Sequence, residues 1–194
     1  MTTGGVPTVN RIHHWYCASS RWRRRVSRDL VPWALDRVRL EVPALEIGPG
    51  PGLTTELLLG RLPHLTLLEQ DPELARGLAG RWPARDVRVV RGDAASLPFP
   101  DGAFRTVFSF TMLHHVPSAE LQDRVLAEAG RVLAPGGRLV GTDSRDSLRM
   151  RIFHLGDTMV LSEPETFPGR LRAAGFEDAS VEVGSGAFRF RALR

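Results

Sequence analysis

The sequence predicts an α/β protein built on a mostly parallel β-sheet with helices on both faces. Short apolar runs alternate with segments of helical periodicity along most of the 194 residues. A glycine-rich turn, residues 48–52, joins the first apolar run to a helical pattern. Near the end, a Gly-Ser-Gly turn is all that separates two short apolar runs. Strands joined by so short a connection must be antiparallel, so one edge of the sheet is a hairpin.

The individual elements follow from periodicity and from their end signals. Residues 10–39 carry apolar side chains at helical spacing and predict two amphipathic helices, with Pro32 starting or kinking the second. The predicted strands are residues 42–47, 65–69, 87–91, 104–110, 138–142, 181–183 and 188–191. Five more helices are predicted. The first begins at residue 53, and the others span residues 72–82, 118–133, 148–161 and 167–174. Asp71 and Ser118 are expected N-caps, and residues 134–137 are expected to end the long helix.

Composition places the chain among ordinary globular proteins, with 42% hydrophobic and 25% charged residues. We expect a helical cap over residues 1–40 and one globular unit over residues 41–194. Cys17 is the single cysteine, so no internal disulfide forms. The sequence has neither an apolar run of membrane-spanning length nor an N-terminal signal of secretory type, which leads us to expect a cytoplasmic protein.

The formal charge of +4 comes from a chain whose basic residues are all arginine. The dense cluster at residues 21–25 has two interpretations. It is an anion-binding patch, or it is the solvated face of a helix with Trp22 turned to the core. We favour the solvated face, because a basic face without interleaved aromatic residues is weak evidence for nucleic acid. We therefore expect no nucleic-acid partner.

The turn at residues 48–52 has the pattern Gly-x-Gly-x-Gly, with Glu46 two residues before its first glycine. Glycines between a strand and a helix let a ligand lie directly against the backbone, since no Cβ intervenes. The dinucleotide motif places its third glycine one residue later, so a dinucleotide is not the first choice. The turn alone is also typical of other nucleotide-binding α/β folds.

Two further acids follow predicted strands, where an open parallel sheet binds its ligands. Glu69 ends the second strand, and its carboxylate could accept hydrogen bonds from both ribose hydroxyls or cap the next turn. Asp93 follows the third strand and could accept an amino group or form a simple turn. Gln70 could hold the adenine or ribose edge. Together with Glu46, these residues are more specific for one nucleoside than any of them alone.

Several segments resemble class I S-adenosylmethionine (SAM)-dependent methyltransferases in the same order. They are Glu-x-Gly-x-Gly-x-Gly at residues 46–52, Gly-Asp-Ala followed by Leu-Pro-Phe at 92–99, Phe-x-x-Val-x-Ser-x-x-x-Leu-His-His-Val at 104–116, Arg-Val-Leu-x-Pro-Gly-Gly at 131–137 and Leu-x-x-Ala-Gly-Phe at 171–176. The resemblance covers about residues 41–194 and is strongest for the small-molecule group that includes ubiquinone, menaquinone and phospholipid methyltransferases. The chain departs from the family at Arg105, where an Asp is usual.

The resemblance implies a Rossmann-like three-layer sandwich with a seven-stranded sheet, SAM as cofactor and no metal. It implies that Glu46 helps position the methionyl ammonium, that Glu69 binds the ribose and that Asp93 binds the adenine amine. The full set of expected cofactor-binding residues is Glu46, Gly48, Gly50, Gly52, Glu69, Gln70, Asp93, Ala94 and Phe110.

His115, His114 and Asp143 are the candidates for catalysis. A histidine could take a proton from a hydroxyl or amine acceptor. However, Leu-His-His also occurs in family members with unrelated substrates, which favours a structural or cofactor-packing role. Asp143 belongs either to an orienting network or to an N-cap of the following segment, and we favour the cap.

The expected reaction is in-line methyl transfer to a small, partly apolar molecule. Residues 148–161 form either a lid over that molecule, with Trp15 and Tyr16, or a helix packed on the core. His154 and Asp157 in this segment could meet the substrate. One alternative is a SAM-binding regulator without activity. Another is a nucleic-acid methyltransferase, although the fourth motif lacks the Asn/Asp-Pro-Pro-Tyr pattern of enzymes that methylate base amines. The sequence leaves the oligomeric state open.

Overall fold

The computed structural model describes residues 19–153 and 159–194 and contains one seven-stranded sheet in the order β3-β2-β1-β4-β5-β7-β6. Strands β1 to β5 run parallel, and β7 pairs antiparallel with both β5 and β6. The strands are β1 Ala44–Ile47, β2 His64–Glu69, β3 Asp86–Arg91, β4 Phe104–Phe110, β5 Leu133–Ser144, β6 Ser180–Val183 and β7 Ala187–Leu193. The predicted α/β class, the parallel sheet and its C-terminal hairpin are confirmed.

Helices cover both faces of this sheet. They are α1 Ser20–Arg25, a π-helical turn Val26–Leu30, α2 Val31–Ala34, α3 Leu53–Leu59, α4 Pro72–Leu78, a 3₁₀ turn Leu113–His115, α5 Ala119–Val132, α6 Leu148–Phe153 and α7 Phe167–Ala173. Each face of the sheet packs into its own apolar core, and successive residues of β4 belong to different cores. Val107 packs with α5 and α7, and Phe108 packs with α1 to α4. The result is the expected three-layer arrangement.

The predicted helix starts are confirmed by hydrogen bonds. Asp71 Oδ1 accepts from Glu73 N at 2.7 Å, and Ser118 Oγ accepts from Leu121 N at 3.2 Å. Helix α4 ends at Leu78 rather than at residue 82. Gly80, with φ of 79°, follows that end in the left-handed conformation that often terminates helices.

The N-terminal helical region differs from two separate helices in its described part. Residues 20–34 are helical throughout, and the wide π turn in the middle has Val31 N bonded to Val26 O. Pro32 accounts for the wide turn, because it has no N–H to donate and its ring crowds the preceding helical turn. Residues 35–39, also predicted as helical, are not helical, and residues 10–18 of the predicted region, with Trp15 and Tyr16, lie outside the described residues.

Two further predicted boundaries are wrong. Strand β5 begins at Leu133, so residues 134–137 lie within it instead of separating it from the helix. The end of the chain holds this stretch extended, since Gly136 N donates to Arg194 O at 2.6 Å and Arg194 N donates to Gly137 O at 2.9 Å. Helix α6 is described over Leu148–Phe153, and residues 154–158, with the candidate substrate residues His154 and Asp157, lie outside the described residues. Residues 159–161 are not helical as predicted. There, Val160 N donates instead to His114 O at 2.9 Å.

The N-terminal helical region is fastened to the hairpin β6–β7. Arg25 Nη2 donates to Ser185 O at 2.9 Å, and Trp33 Nε1 donates to Glu182 Oε1 at 3.1 Å. This region therefore closes one face of the sheet. None of the helices in residues 19–153 and 159–194 is long and apolar enough to cross a membrane.

Candidate functional site

The candidate site lies at the carboxyl ends of the parallel strands. The strand order reverses between β1 and β4, and such reversals create the crevice in which α/β proteins bind ligands. The acids and histidines predicted from the sequence come from five neighbouring strands of this edge or from the loops after them. They are Glu46 on β1, Glu69 on β2, Asp93 after β3, His114 and His115 after β4, and Asp143 on β5.

The glycine turn after β1 has three left-handed residues: φ is 65° at Gly48, 54° at Gly50 and 79° at Gly52. A side chain at position 48 would overlap Met112 Cγ, and one at position 52 would lie 2.9 Å from Leu78 Cδ2. At position 50 a side chain would meet no atom within 4 Å. Packing against Met112 therefore excludes a side chain at position 48, and the left-handed φ disfavours one at position 52. At Gly50 the backbone faces open space.

Glu69 ties β2 to this glycine turn. Its Oε2 accepts from Gly50 N at 3.0 Å, and its Oε1 accepts from Asp71 N at 3.0 Å. Burial raises the pKa of Glu69, and these backbone hydrogen bonds act in the opposite direction. Two bonds leave further lone pairs on the carboxylate for a ligand. Both predicted interpretations, the hydrogen bond to the next turn and the capacity to bind hydroxyls, are compatible with this geometry.

Glu46 is buried, with 1% of its surface exposed. The hydroxyls of Thr54 and Thr55, in the first turn of α3, donate to its two carboxylate oxygens. Loss of hydration on burial raises the pKa of Glu46 to about 7, although both hydroxyls counteract the rise. Glu46 thus fastens α3 to β1, and its charge state changes near neutral pH.

The remaining expected cofactor residues lie on both sides of the turn. Asp93 is exposed, and its Oδ1 accepts from Ala95 N at 2.9 Å. Gln70 is exposed, and Ala94 is partly buried against the apolar core on the α5 side. Phe110 is only 5% exposed and packs among the residues of α1 to α4.

His114 and Asp143 form a buried pair. His114 Nδ1 is hydrogen-bonded to Asp143 Oδ1, and His114 N donates to Asp143 Oδ2 at 3.0 Å. Ser144 N donates to Asp143 Oδ1 at 2.7 Å. The cap interpretation of Asp143 is wrong, because Ser147 Oγ accepts from Met150 N at the start of α6. A carboxylate that binds Nδ1 fixes the orientation of the imidazole and directs Nε2 to act as the acceptor.

His115 is half-buried, and its ring centroid lies 4.1 Å from that of His114. Gln122, which the sequence analysis missed, lies fully buried beneath this turn. Its Nε2 donates to Leu113 O at 3.0 Å and to Val160 O at 2.7 Å. Gln122 therefore joins the 3₁₀ turn that carries both histidines to the segment after α6.

The chain matches a family model described as a methyltransferase domain over residues 45–141, half of its length. It belongs to this family. Together with the strand order and the acids at the strand ends, the match identifies a class I SAM-dependent methyltransferase domain, and its cofactor is SAM.

Two curated proteins and one solved structure illustrate the range of relatives of this methyltransferase domain. The demethylmenaquinone methyltransferase of Thermus thermophilus is 35% identical over 127 residues, covering 63% of this chain and 54% of the relative. The ribosomal RNA small subunit methyltransferase A of Acidithiobacillus ferrooxidans is 42% identical over 100 residues, covering 51% of this chain and 35% of the relative. The chain thus spans about half, or less, of the length of these relatives.

A solved structure described as a possible histamine N-methyltransferase from Thermotoga maritima superposes with a TM-score of 0.72 over 94% of this chain and 97% of that chain. At 22% identity this likeness shows the fold alone.

The donor set of the methyltransferase domain fits SAM. The open side of Gly50 leaves room for a ligand against the backbone, and Glu69 has unused acceptor capacity next to it for vicinal hydroxyls. The exposed carboxylate of Asp93 is an acceptor for an amino group. In the described residues, no three His, Cys, Asp or Glu side chains cluster in a way that could hold a metal ion.

The acids of this site could be predicted from the sequence, whereas the groups that hold them could not. Thr54 and Thr55 follow the glycine turn in the sequence, and their position at a helix start is the signal that indicates hydroxyl groups near Glu46. Nothing local in the sequence indicates that Gln122 bonds to two distant carbonyl groups, because its partners are 9 and 38 residues away.

Proposed function

We propose that this chain transfers the methyl group of SAM to a small-molecule acceptor by in-line displacement. The observation that carries this proposal is the pairing of Glu69 with Gly50 N at 3.0 Å beside open space. A carboxylate fixed next to a bare backbone is suited to bind a ribose while the glycine turn contacts the rest of the cofactor.

The bound cofactor supplies a methyl group already activated by the positive sulfonium. The chain binds and orients the reactants, and proximity of this kind can provide effective molarities on the order of 10⁵ M. Glu69 and Asp93 hold the nucleoside, with Gln70 and the Ala94 backbone at its edges. Glu46, on β1 two residues before the first glycine, provides negative charge for the methionyl ammonium.

The His114–Asp143 pair is our candidate for moving a proton from a hydroxyl or amine acceptor. Asp143 holds Nδ1, which leaves Nε2 of His114 as the basic atom. His115, in ring contact with His114, is the second candidate and the less buried of the two. For thiol, carboxylate or carbanion acceptors neither histidine is needed as a base.

Two observations bear on the acceptor class. The demethylmenaquinone relative favours a ring-bearing small molecule. The ribosomal RNA relative and the exposed arginines of α1, among them Arg21 and Arg24, favour the alternative of an RNA acceptor. We prefer the small molecule, because the arginines lie on one helical face without interleaved exposed aromatic residues. In this proposal, residues 1–40 serve as a cap next to the acceptor.

Cofactor binding is tested by calorimetry with S-adenosylhomocysteine. Glu69→Ala should weaken binding at least tenfold, because a charge-assisted interaction with the ribose is lost. Glu73→Ala is the matched control, since Glu73 is an exposed acid on α4 that pairs only with Arg76 in the described contacts. Equal affinities for the two variants would contradict the ribose assignment.

Methyl transfer is tested with tritiated SAM against 1,4-naphthohydroquinone and against ribosomal RNA as separate acceptors. Label in the naphthalene product supports the small-molecule proposal, whereas label only in RNA would replace it by the alternative. Retention of cofactor with no transfer to any acceptor in a wide panel would favour a regulator. His114→Gln and His115→Gln should bind S-adenosylhomocysteine normally, and the true base is the one whose loss lowers the rate at least a hundredfold.

A further inference from the structure

The segment that carries Asp93 crosses the sheet without a helix or strand of its own. Residues 92–103, all of them described, contain neither a helix nor any part of the seven strands. They leave the end of β3 at the candidate site and reach the start of β4 at the opposite edge of the sheet, because both strands run in the same direction. Buried backbone groups outside helices and sheets need other hydrogen-bond partners. The groups that hold this segment therefore help to decide where Asp93 lies.

Arg131, near the end of α5, binds this segment at three positions. Its Nη2 donates to Leu97 O at 3.0 Å, and its Nη1 donates to Phe99 O at 2.9 Å. Its own backbone oxygen accepts from Gly102 N at 3.0 Å. Arg131 opens the Arg-Val-Leu-x-Pro-Gly-Gly motif, to which the proposed function gives no role. The first residue of that motif thus holds the backbone of the segment after β3.

Glu128, one helical turn before Arg131, orients the guanidinium. Its Oε1 accepts from Arg131 Nε at 2.7 Å, and its Oε2 accepts from Leu97 N at 2.7 Å and from Arg131 Nη2 at 2.8 Å. The hydrogen bond from Arg131 holds the pKa of Glu128 below its usual range, so this carboxylate is charged at neutral pH. We call Glu128 and Arg131 the clamp. In the described part of the chain, every backbone hydrogen bond of residues 97–102 ends on the clamp.

The clamped segment packs directly against the turn of Asp93. A Cβ at position 92 would lie 3.3 Å from Pro98 Cδ and 2.9 Å from Leu68 Cδ1, so Gly92 fits between Pro98 and a side chain of β2. Asp93 follows Gly92 and forms an antiparallel bridge with Ser96, the residue before the first clamped position. Asp93 is therefore in contact with the clamped segment through both of its chain neighbours, and a shift of that segment would move its carboxylate.

Apolar burial and the clamp hold the segment in different ways. The side chains of Leu97 and Phe99 are 5% and 9% exposed and belong to the apolar core on the α5 side of the sheet. Burial of apolar surface is non-directional, so it keeps the segment on the sheet without fixing the direction of its peptide groups. The guanidinium is planar and its donors point in set directions, and here they end on backbone oxygens. The clamp therefore fixes the segment where burial alone would allow it to slide.

We propose that the clamp positions Asp93 for the adenine amino group and thereby sets the preference of the site for an adenosyl cofactor over other purine nucleosides. This inference rests on the proposed function, in which Asp93 and the Ala94 backbone hold the nucleoside. Leu133, two residues after Arg131, pairs with Phe104 at the start of β4, so Arg131 lies at the edge of the sheet opposite the site. Arg131 is therefore a positioning residue that acts through the segment.

The test measures, by calorimetry, the affinities of the full chain for S-adenosylhomocysteine and for S-inosylhomocysteine. The inosyl compound carries an oxygen in place of the adenine amino group. A carboxylate accepts a hydrogen bond from the amino group and repels the oxygen, so wild type should prefer S-adenosylhomocysteine by at least about tenfold. Arg131→Met keeps an aliphatic side chain and removes the guanidinium, and it should lower this preference to about threefold or less.

Arg105→Met is the matched control, because Arg105 has the same kinds of partner. Its Nε donates to Glu41 Oε2 at 3.1 Å, and its Nη1 donates to Pro135 O at 3.0 Å. None of these atoms belongs to residues 92–103. Arg105→Met therefore loses a comparable ion pair and backbone contact, and it should keep the wild-type preference for S-adenosylhomocysteine.

Glu128→Gln is a milder second variant of the clamp. Its amide oxygen can still accept from Leu97 N, but the charge that orients Arg131 is lost, so the preference for S-adenosylhomocysteine should fall about threefold. This variant decides the question if Arg131→Met does not fold: a reduced preference supports the inference, and an unchanged one overturns it.

The outcomes separate this inference from the proposed function. A wild-type preference in folded Arg131→Met would overturn the inference, and so would an equal loss of preference in Arg105→Met. Failure of wild type to bind S-adenosylhomocysteine would contradict the proposed function itself. If wild type binds both ligands equally, the proposed adenine role of Asp93 is wrong, and the inference is overturned with it.

Discussion

Glu46 shows how a single residue of this chain combines a structural role with a proposed functional one. The two threonine hydroxyls satisfy its oxygens, but they do not replace the water that burial removes. The protein therefore carries a carboxyl group that is easier to protonate than a free one. Acids with perturbed pKa values concentrate at functional sites, because their charge there interacts with a ligand and does not stabilise the fold.

The first prediction concerns the pH dependence of stability. Burial raises the pKa of Glu46 from 4.5 in the unfolded chain to about 7 in the folded one. Protonated Glu46 therefore makes its full contribution to the free energy of unfolding below pH 4.5, and this contribution is lost as the pH rises to about 7. The loss amounts to about 3 kcal/mol. Glu46→Gln stays neutral and should gain about that much relative to wild type between pH 4.5 and pH 8.

Urea unfolding of both proteins at pH 4.5, 6 and 8 measures this gain. The isosteric amide can still accept from one of the two threonine hydroxyls, so the variant is expected to fold. Stability curves that run parallel across the whole pH range would show that Glu46 does not change its charge state near neutrality.

The second prediction separates two glycines of the same turn. Gly48→Ala must place a Cβ against Met112 Cγ at positive φ, whereas Gly50→Ala meets only the backbone cost. We expect Gly50→Ala to lose about 1 kcal/mol of unfolding free energy and Gly48→Ala to lose at least about 2 kcal/mol. In the double variant Gly48→Ala/Met112→Ala, part of the additional unfolding free energy that Gly48→Ala loses should be recovered.

Denaturant unfolding measures these losses, and calorimetry supplies a second readout. Because position 50 faces open space, the methyl group introduced by Gly50→Ala should obstruct S-adenosylhomocysteine. The variant should therefore bind S-adenosylhomocysteine more weakly even though its stability changes little. A larger stability loss for Gly50→Ala than for Gly48→Ala would contradict the packing at the turn.

At the scale of elements, Gln122 of α5 holds in place the 3₁₀ turn Leu113–His115, which carries both histidines. Its Nε2 reaches two carbonyl groups, while its Oε1 accepts from Ser162 Oγ at 2.9 Å and from Arg170 Nη1 at 3.0 Å. One buried amide thus joins α5, α7, the 3₁₀ turn and the segment after α6. A network of this kind stabilises only when all of its members are satisfied.

The third prediction removes this amide. Gln122→Leu leaves several buried polar groups without partners and should lower the unfolding free energy by about 2–4 kcal/mol. Hydrogen exchange should increase in residues 113–116 and 159–163 and remain unchanged in β1 and β2. The control is Asp123→Ala, which removes a partly exposed ion pair with Arg170 and should cost less than about 1 kcal/mol. Equal losses in the two variants would exclude a special role for Gln122.

At the scale of the whole molecule, the N-terminal helices and the C-terminal hairpin hold each other in place. Arg189 lies over the ring of Trp33, with its guanidinium carbon 5.1 Å from the ring centroid, and also bonds to Glu182. Arg191 Nη2 donates to Ala34 O at 3.0 Å. The two ends of the described chain therefore meet, and they fix the π turn over the ends of β4 and β5.

The fourth prediction weakens this junction. Arg189→Met removes the ring contact and its hydrogen bonds, and should destabilise the protein by about 1–2 kcal/mol. Amide hydrogen exchange should become faster in residues 20–34, while the central strands stay protected. Arg172→Met, at an exposed arginine of α7, should change stability by less than about 0.5 kcal/mol. Unaltered exchange in residues 20–34 would show that the hairpin does not hold the helices.

The sequence alone determined the features that depend on neighbouring residues. Apolar runs, glycine positions and capping side chains act over a few residues, so the strands, the glycine turn and the caps at Asp71 and Ser118 could be read directly. The strand-end acids followed because every parallel strand brings its carboxyl end to the same edge of the sheet. The family resemblance added the cofactor and the proposed role of each acid.

Only the tertiary structure decided which distant groups meet. The pairing of His114 with Asp143, the bonds of Gln122 and the burial of Glu46 all join residues brought together by packing of the sheet and its helices. The same packing extends β5 through residues 134–137 and keeps residues 159–161 out of the helix predicted over residues 148–161. Local propensity is worth a fraction of a kcal/mol per residue, and long-range hydrogen bonds and burial outweigh it wherever the two disagree.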